Sequence, residues 1–466
     1  MTEFWDQWWR QRELAHSVAT AMPGAVDELQ IAASLESRGI TDQDARENYG
    51  RKDVFDLATT LLRDIPPPAQ PPPRRNRRKT LDALRMVAHG PLYALPSAVY
   101  PAVFTVLGTT AMVRGMVLAT GLGWAWGMGM SAVAYQLRGQ RRERAAGRAL
   151  RWLGVAGIGT ALVIAALLAL LGGTRPGMVA FVAGQIAFQL TAGILVFYRK
   201  ERWLVTMMAP ALLLGVTHIA SGYPRVLVEP TIVAAGLSAA LVSGTAWLIT
   251  LREIAGAEPD PPGVVHWRRA ARGAAPSVGY AVVGAVFLLF TDARYIVGQF
   301  DLAIAVAPLV LGMGAVEWRA VRLTERAADL LDRDAGPEDF RRDTRQLVVR
   351  ELARCLLVLG VLAAVVLIAL RGLGTLSTDG VYLVEAHVIL GGAYFAGFTL
   401  ARHEQFPALL RISAAVAAAD IIGVLLLADE LGPGGPIKIF LASTSVLLVL
   451  LSVKLWTTTS RVYHFR

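Results

Sequence analysis

From Gly90 to the C-terminus, apolar runs of about 20 residues alternate with short polar or basic stretches. Each run is long enough to cross the ~30 Å hydrocarbon core of a bilayer as a helix. The pattern predicts twelve spans, near 90–113, 116–136, 152–172, 177–198, 203–222, 226–249, 275–296, 300–318, 352–371, 380–401, 407–428 and 437–456. They form two blocks of six with a shared plan. In the first block Pro96-Ser97 opens a span, and the first large basic loop starts at Arg138 after the second span. In the second block Pro276-Ser277 and Arg319 repeat this plan, with an offset equal to within about one residue. Duplication of a six-helix unit is an architecture of secondary transporters, whose substrate path lies between the repeats. Six is an even number, so both blocks start on the same side and the repeats are parallel.

Ahead of the spans the chain is polar. Residues 1–65 read as a small helical cytoplasmic domain. One helix is expected from Val26 to Ser37, ended by Gly39, and a second starts at Ile40-Thr41-Asp42 with a Thr or Asp cap. A third covers Asp53 to Leu62. Trp5, Trp8 and Trp9, beside Arg10 and Arg12, suit either the membrane surface or packing within this domain. Residues 66–87 form a linker in which two Pro-Pro-Pro runs hold an extended spacer and Arg74 to Lys79 meets the lipid surface. The first lobe then spans 88–250, an interlobe loop 251–274, the second lobe 275–458 and a tail 459–466.

Composition agrees with a membrane protein, since 54% of the 466 residues are hydrophobic and only 18% charged. The net charge of +10 raises the question of nucleic acid, but the basic residues gather in alternate loops. One set of loops holds Arg138 to Arg148, Arg199 to Arg202, Arg252 to Arg272 and Arg319 to Arg350; the opposite loops carry roughly one Arg each, such as Arg114, Arg175 and Arg225. By the positive-inside rule, both termini are cytoplasmic and no nucleic-acid partner is needed. The single Cys355 excludes an internal disulfide and supplies no metal site. Residues 1–22 lack the basic start and apolar core of a signal peptide.

No catalytic motif is present: there is no phosphate-binding Gly-rich loop followed by Lys-Ser/Thr, no His-Glu-x-x-His and no Gly-x-Ser-x-Gly. An enzyme is not expected, nor is a cofactor. What remains is a set of ionisable residues within spans, which are costly in lipid and tend to face a bundle interior or a wet cavity. Asp292 and Arg294 fall in the seventh span, Asp301 near the start of the eighth, Glu385 and His387 in the tenth, and Asp420 in the eleventh. Glu229 lies in the sixth span and His218 in the fifth. Nearly all sit in the outer half, and the acids concentrate in the second block. Such acids can bind a proton or cation, or accept hydrogen bonds from sugar hydroxyls. Glu229, Asp292, Arg294 and Asp301 also suit wet span ends. Gln185 and Gln189, at i, i+4 in the fourth span, suit either a saccharide contact or an interhelical hydrogen bond. Trp124 and Trp126, among Gly121, Gly123, Gly127 and Gly129, give the second span a closely packing face.

The segment Tyr135-Gln136-Leu137-Arg138-Gly139-Gln140-Arg141-Arg142-Glu143-Arg144-Ala145-Ala146-Gly147-Arg148-Ala149-Leu150 resembles the loop between spans two and three of the MOP flippase superfamily. The elongated counterpart from Glu317 to Leu352 looks like that of Pel-type polysaccharide exporters. The resemblance covers roughly residues 88–458. It implies two six-helix lobes rocking about a central cavity, with export of lipid-linked saccharides, polysaccharides or drugs. The first lobe has few deep cations, unlike what a pyrophosphate-linked cargo would want. The major facilitator fold shares the span count. However, the loop after span two has no Asp here, and the long loop falls after span eight rather than span six.

The expectation is an all-α polytopic membrane protein of about twelve spans in two parallel six-helix lobes, with a small helical N-terminal domain. Its leading function is alternating-access export of a polysaccharide or saccharide precursor across the bacterial cytoplasmic membrane. Membrane lipid and the glycan are the expected partners, with glycan-synthesising enzymes docking on the N-terminal domain. The alternatives are a proton-coupled drug or small-solute exporter and a non-transporting scaffold of envelope assembly.

Overall fold

The computed structural model describes residues 10–18, 27–64, 77–172, 176–295, 299–331 and 337–459. Among these the regular structure is entirely helical, and twelve helices are long and apolar enough to cross a membrane. The spans are Ala83–Leu107, Thr109–Gly139, Glu143–Gly172, Pro176–Phe197, Glu201–Ala220, Arg225–Gly256, Trp267–Asp292, Phe300–Leu330, Glu338–Gly372, Thr378–Arg402, Phe406–Leu427 and Gly435–Thr459. The chain is a multi-pass membrane protein.

Two of the expected boundaries move. The first span ends at Gly108, whose φ of +75° breaks the helix, so Arg114 lies inside the second helix and not in a loop. The Pro-Ser pairs sit inside helices instead of opening them, since the seventh helix already runs from Trp267. Their local chemistry repeats all the same. Ser97 Oγ donates to the Ala94 carbonyl at 2.6 Å and Ser277 Oγ to the Ala274 carbonyl at 2.7 Å. Each hydroxyl bonds back to the carbonyl three residues earlier, in the turn where proline removes an amide donor.

The chain divides into two compact units. One comprises residues 1–83, 319–354 and 453–466. Its N-terminal part has helices at Glu28–Ser37, Asp42–Tyr49 and Val54–Asp64, held by Val18, Ile31, Leu35, Leu57 and Leu61. Asp27 caps the first of these, and Thr41 forms a capping box with Asp44 at the second, which satisfies amides that a helix start leaves unpaired. Trp5, Trp8, Trp9 and the proline runs lie outside the described residues. The charged Arg319–Arg350 stretch, whose Glu325, Arg326, Glu338, Asp339, Arg341 and Arg342 suit solvated helices, is helical for most of its length: the helices of the eighth and ninth spans extend through it to Leu331 and from Pro337. Just after it, Glu351 is fully buried and bonded to Arg319, Arg326 and Arg354.

The other unit, residues 84–318 and 355–452, holds most of the span residues. The first lobe packs around Met130, Leu150, Ile186, Leu195 and Val242. The second and seventh spans run antiparallel against each other. Gly129 meets Val278, Trp124 meets Gly284 and Gly121 meets Leu289. A Cβ at Gly129 would come within 2.9 Å of Val278 and one at Gly284 within 3.2 Å of Trp124, so these two glycines keep the seam close, whereas Gly121 has room for a methyl group.

Candidate functional site

The seventh helix ends on Asp292, and the third turn of the tenth carries His387. His387 Nε2 lies 3.1 Å from Asp292 Oδ2, while His387 Nδ1 lies 2.8 Å from the Leu383 carbonyl oxygen. A carbonyl only accepts, so Nδ1 carries a proton and donates it there. The Nε2–Oδ2 contact then needs a proton of its own, held on either atom. Without it, a ring lone pair would face a carboxylate in a site where His387 is fully buried. Phe440 packs edge-on against the imidazole at 5.8 Å, and the second oxygen, Asp292 Oδ1, is buried with no hydrogen-bond partner among the described residues. The pair is a one-proton site with an unused acceptor beside it.

Asp420, fully buried in the eleventh span, lies near Ser443 and Arg294. Arg294 follows the end of the seventh helix, contrary to its expected place within the span. Its guanidinium stands 4.7 Å over Phe290, on a cavity of about 470 Å³ shared with Asp429. Asp292, His387, Arg294 and Asp420 thus belong to one end of the second lobe.

The other expected residues have different surroundings. Asp301 Oδ2 accepts from the Ser377 amide at 2.9 Å and from Ser377 Oγ at 2.5 Å, and Ser377 Oγ accepts from Gly380 N. Asp301 therefore fastens the start of the tenth helix. Glu385 is exposed, and a two-residue separation turns it about 200° around the helix from His387. Glu229 is exposed in the first turn of the sixth helix. His218 is fully buried against Tyr223, with neither ring nitrogen bonded among the described residues. Gln185 lines a first-lobe cavity of about 310 Å³ with Tyr100, Phe181 and Phe188. Gln189, one turn on, points instead at Gly123.

One cluster was absent from the expected set. His89 of the first span lies 3.1 Å from Glu317 of the eighth and 3.8 Å from Glu201 of the fifth. On either side the backbones touch, with Gly90 against Leu311 and Gly314 against Met86. The signal was a histidine one residue before the assumed start of the first span.

No family model matches the chain and no curated protein does. Solved structures do match. The MATE transporter ClbM in complex with Rb+ is 14% identical, with a TM-score of 0.50 over 79% of this chain and 93% of that one. The eukaryotic MATE transporter AtDTX14 is 14% identical, with 0.51 over 82% and 98%. An outward-facing multidrug resistance MATE family transporter of the MOP superfamily is 13% identical, with 0.52 over 81% and 96%. At such identity the likeness is one of fold. The chain has the MATE-like two-lobe helical fold.

Proposed function

We propose that this chain is a proton-coupled secondary transporter that exports a small, largely apolar or cationic solute by alternating access. The observation that carries this reading is the Asp292–His387 pair, a one-proton site between two spans of one lobe in which His387 is buried and Asp292 half-buried. A proton bound there leaves the pair neutral overall. A proton lost leaves a buried negative charge, so the two protonation states favour different exposures of the site.

The leading expectation from sequence was a polysaccharide cargo, and two observations support the small-solute alternative over it. The neighbours that share the fold at a TM-score of 0.5 or more are described as MATE transporters, one of them as a multidrug resistance transporter. The first-lobe cavity, about 310 Å³, is lined mainly by aromatic and aliphatic side chains and glycine, with Gln185 as its amide. Sugar hydroxyls buried there would lose water without replacement partners. A flat aromatic cation finds Tyr100, Phe181 and Phe188 to stack on.

The test is ethidium uptake into proteoliposomes under an imposed pH gradient. Gradient-driven accumulation by the wild type, lost in Asp292→Asn, supports the reading. No gradient-driven movement of ethidium by an inserted wild-type protein overturns it.

A further inference from the structure

We propose that the helical extensions at residues 338–350 and 456 form a binding site for the phosphodiester headgroup of an anionic phospholipid. The site is a cavity of about 660 Å³ lined by Arg341, Arg342, Arg345, Arg350, Val349 and Trp456, with Glu338 as its one acid. Arg345 places its guanidinium 5.4 Å from the Trp456 ring centroid, which holds that side chain in position. A second cavity of about 380 Å³ shares Arg350 and adds Arg322, Arg326 and Arg354. The second also has Asp329 in its wall.

The arginines of this region divide by partner. Arg319, Arg326 and Arg354 converge on buried Glu351, three guanidinium groups on one carboxylate. Arg342, Arg345 and Arg350 have no ion-pair partner among the described residues. Their planar donors suit a phosphate, which accepts two parallel N–H bonds from each. The apolar wall argues for a lipid over a free phosphate. From Arg345 the helix continues through exposed Val349 and Ala353, about one and two turns further on and still within about 80° of its direction. On the other helix exposed Val453 lies one turn before Trp456. Acyl chains along these stripes would leave a headgroup level with the arginines. A soluble phosphate gains nothing from them.

The test uses the full chain in phosphatidylcholine nanodiscs, with Trp456 as reporter. The signal is tryptophan quenching by dibrominated phosphatidylglycerol, taken as the difference between wild type and Trp456→Phe. Each arginine favours an anionic headgroup about five-fold, so three predict enrichment on the order of a hundred-fold over dibrominated phosphatidylcholine. The proposal predicts strong quenching by the anionic lipid alone, lost in Arg342→Gln/Arg345→Gln and kept in Arg268→Gln, which lies outside both cavities. Equal quenching by the two lipids overturns it. Anionic-lipid quenching abolished by added pyrophosphate also overturns it, because the site would then serve a soluble phosphate. If the double variant does not insert, the wild-type comparison of the two lipids still decides.

Discussion

His89 in the first span and Glu317 in the eighth lie 3.1 Å apart, so a hydrogen bond joins a helix of one lobe to a helix of the other. Glu201, at 3.8 Å, adds a second carboxylate to the same ring. A transporter that alternates must separate its lobes on this side for part of its cycle. The bond and the glycine contacts beside it are then the parts that must break.

The first prediction concerns this seam. A Cβ at Gly314 would collide with the Met86 and Val87 carbonyl oxygens, which are backbone and cannot turn aside. Gly314→Ala is expected to hold the seam apart. In a Cys355→Ala background, a cysteine at Val87 should react with a membrane-impermeant maleimide several-fold faster when Gly314→Ala is present. An unchanged rate would mean that the seam does not govern access there.

Asp301 is expected to matter for folding and not for coupling. Asp301→Ala leaves the Ser377 amide and hydroxyl without their acceptor and should cost about 1–3 kcal/mol, read as earlier thermal unfolding in detergent. Asp301→Asn keeps an acceptor oxygen and should transport normally per folded molecule. Loss of gradient-driven transport in a stable Asp301→Asn protein would return this residue to the proton path.

Glu351 gathers three arginines with no exposure of its own side chain. Removing its charge leaves the cations facing one another, and breaking a buried pair costs roughly 3–5 kcal/mol. The arginines are partly exposed, which places Glu351→Gln at the low end, about 3 kcal/mol. Thermal unfolding checks this, and a variant as stable as wild type would contradict it.

Much of the fold was legible because lipid imposes one rule along the chain: a span needs about 20 apolar residues. Twelve runs met it, and the repeated Pro-Ser pairs marked the duplication. The misplaced features have physical reasons. Apolar Ala111, Met112 and Val113 continue past Gly108, so hydropathy could not see the break that a positive φ makes there. The first helix begins at polar residues well before the membrane-like run, which left His89 outside the assumed span. For the site, residue type was legible but direction was not. Glu385 and His387 share a span and face opposite ways. Asp301 reads as an intramembrane acid until Ser377, 76 residues on, is seen donating to it.

In the proposed cycle one proton is taken up and released at Asp292–His387 for each round of transport. The most direct measurement is proton flux in pyranine-loaded proteoliposomes holding a pH gradient, with ethidium added outside. Wild type should let protons cross when the dye is present, and Asp292→Asn should abolish that flux while still reaching the membrane. Dye-dependent proton flux that persists undiminished in Asp292→Asn would contradict the account.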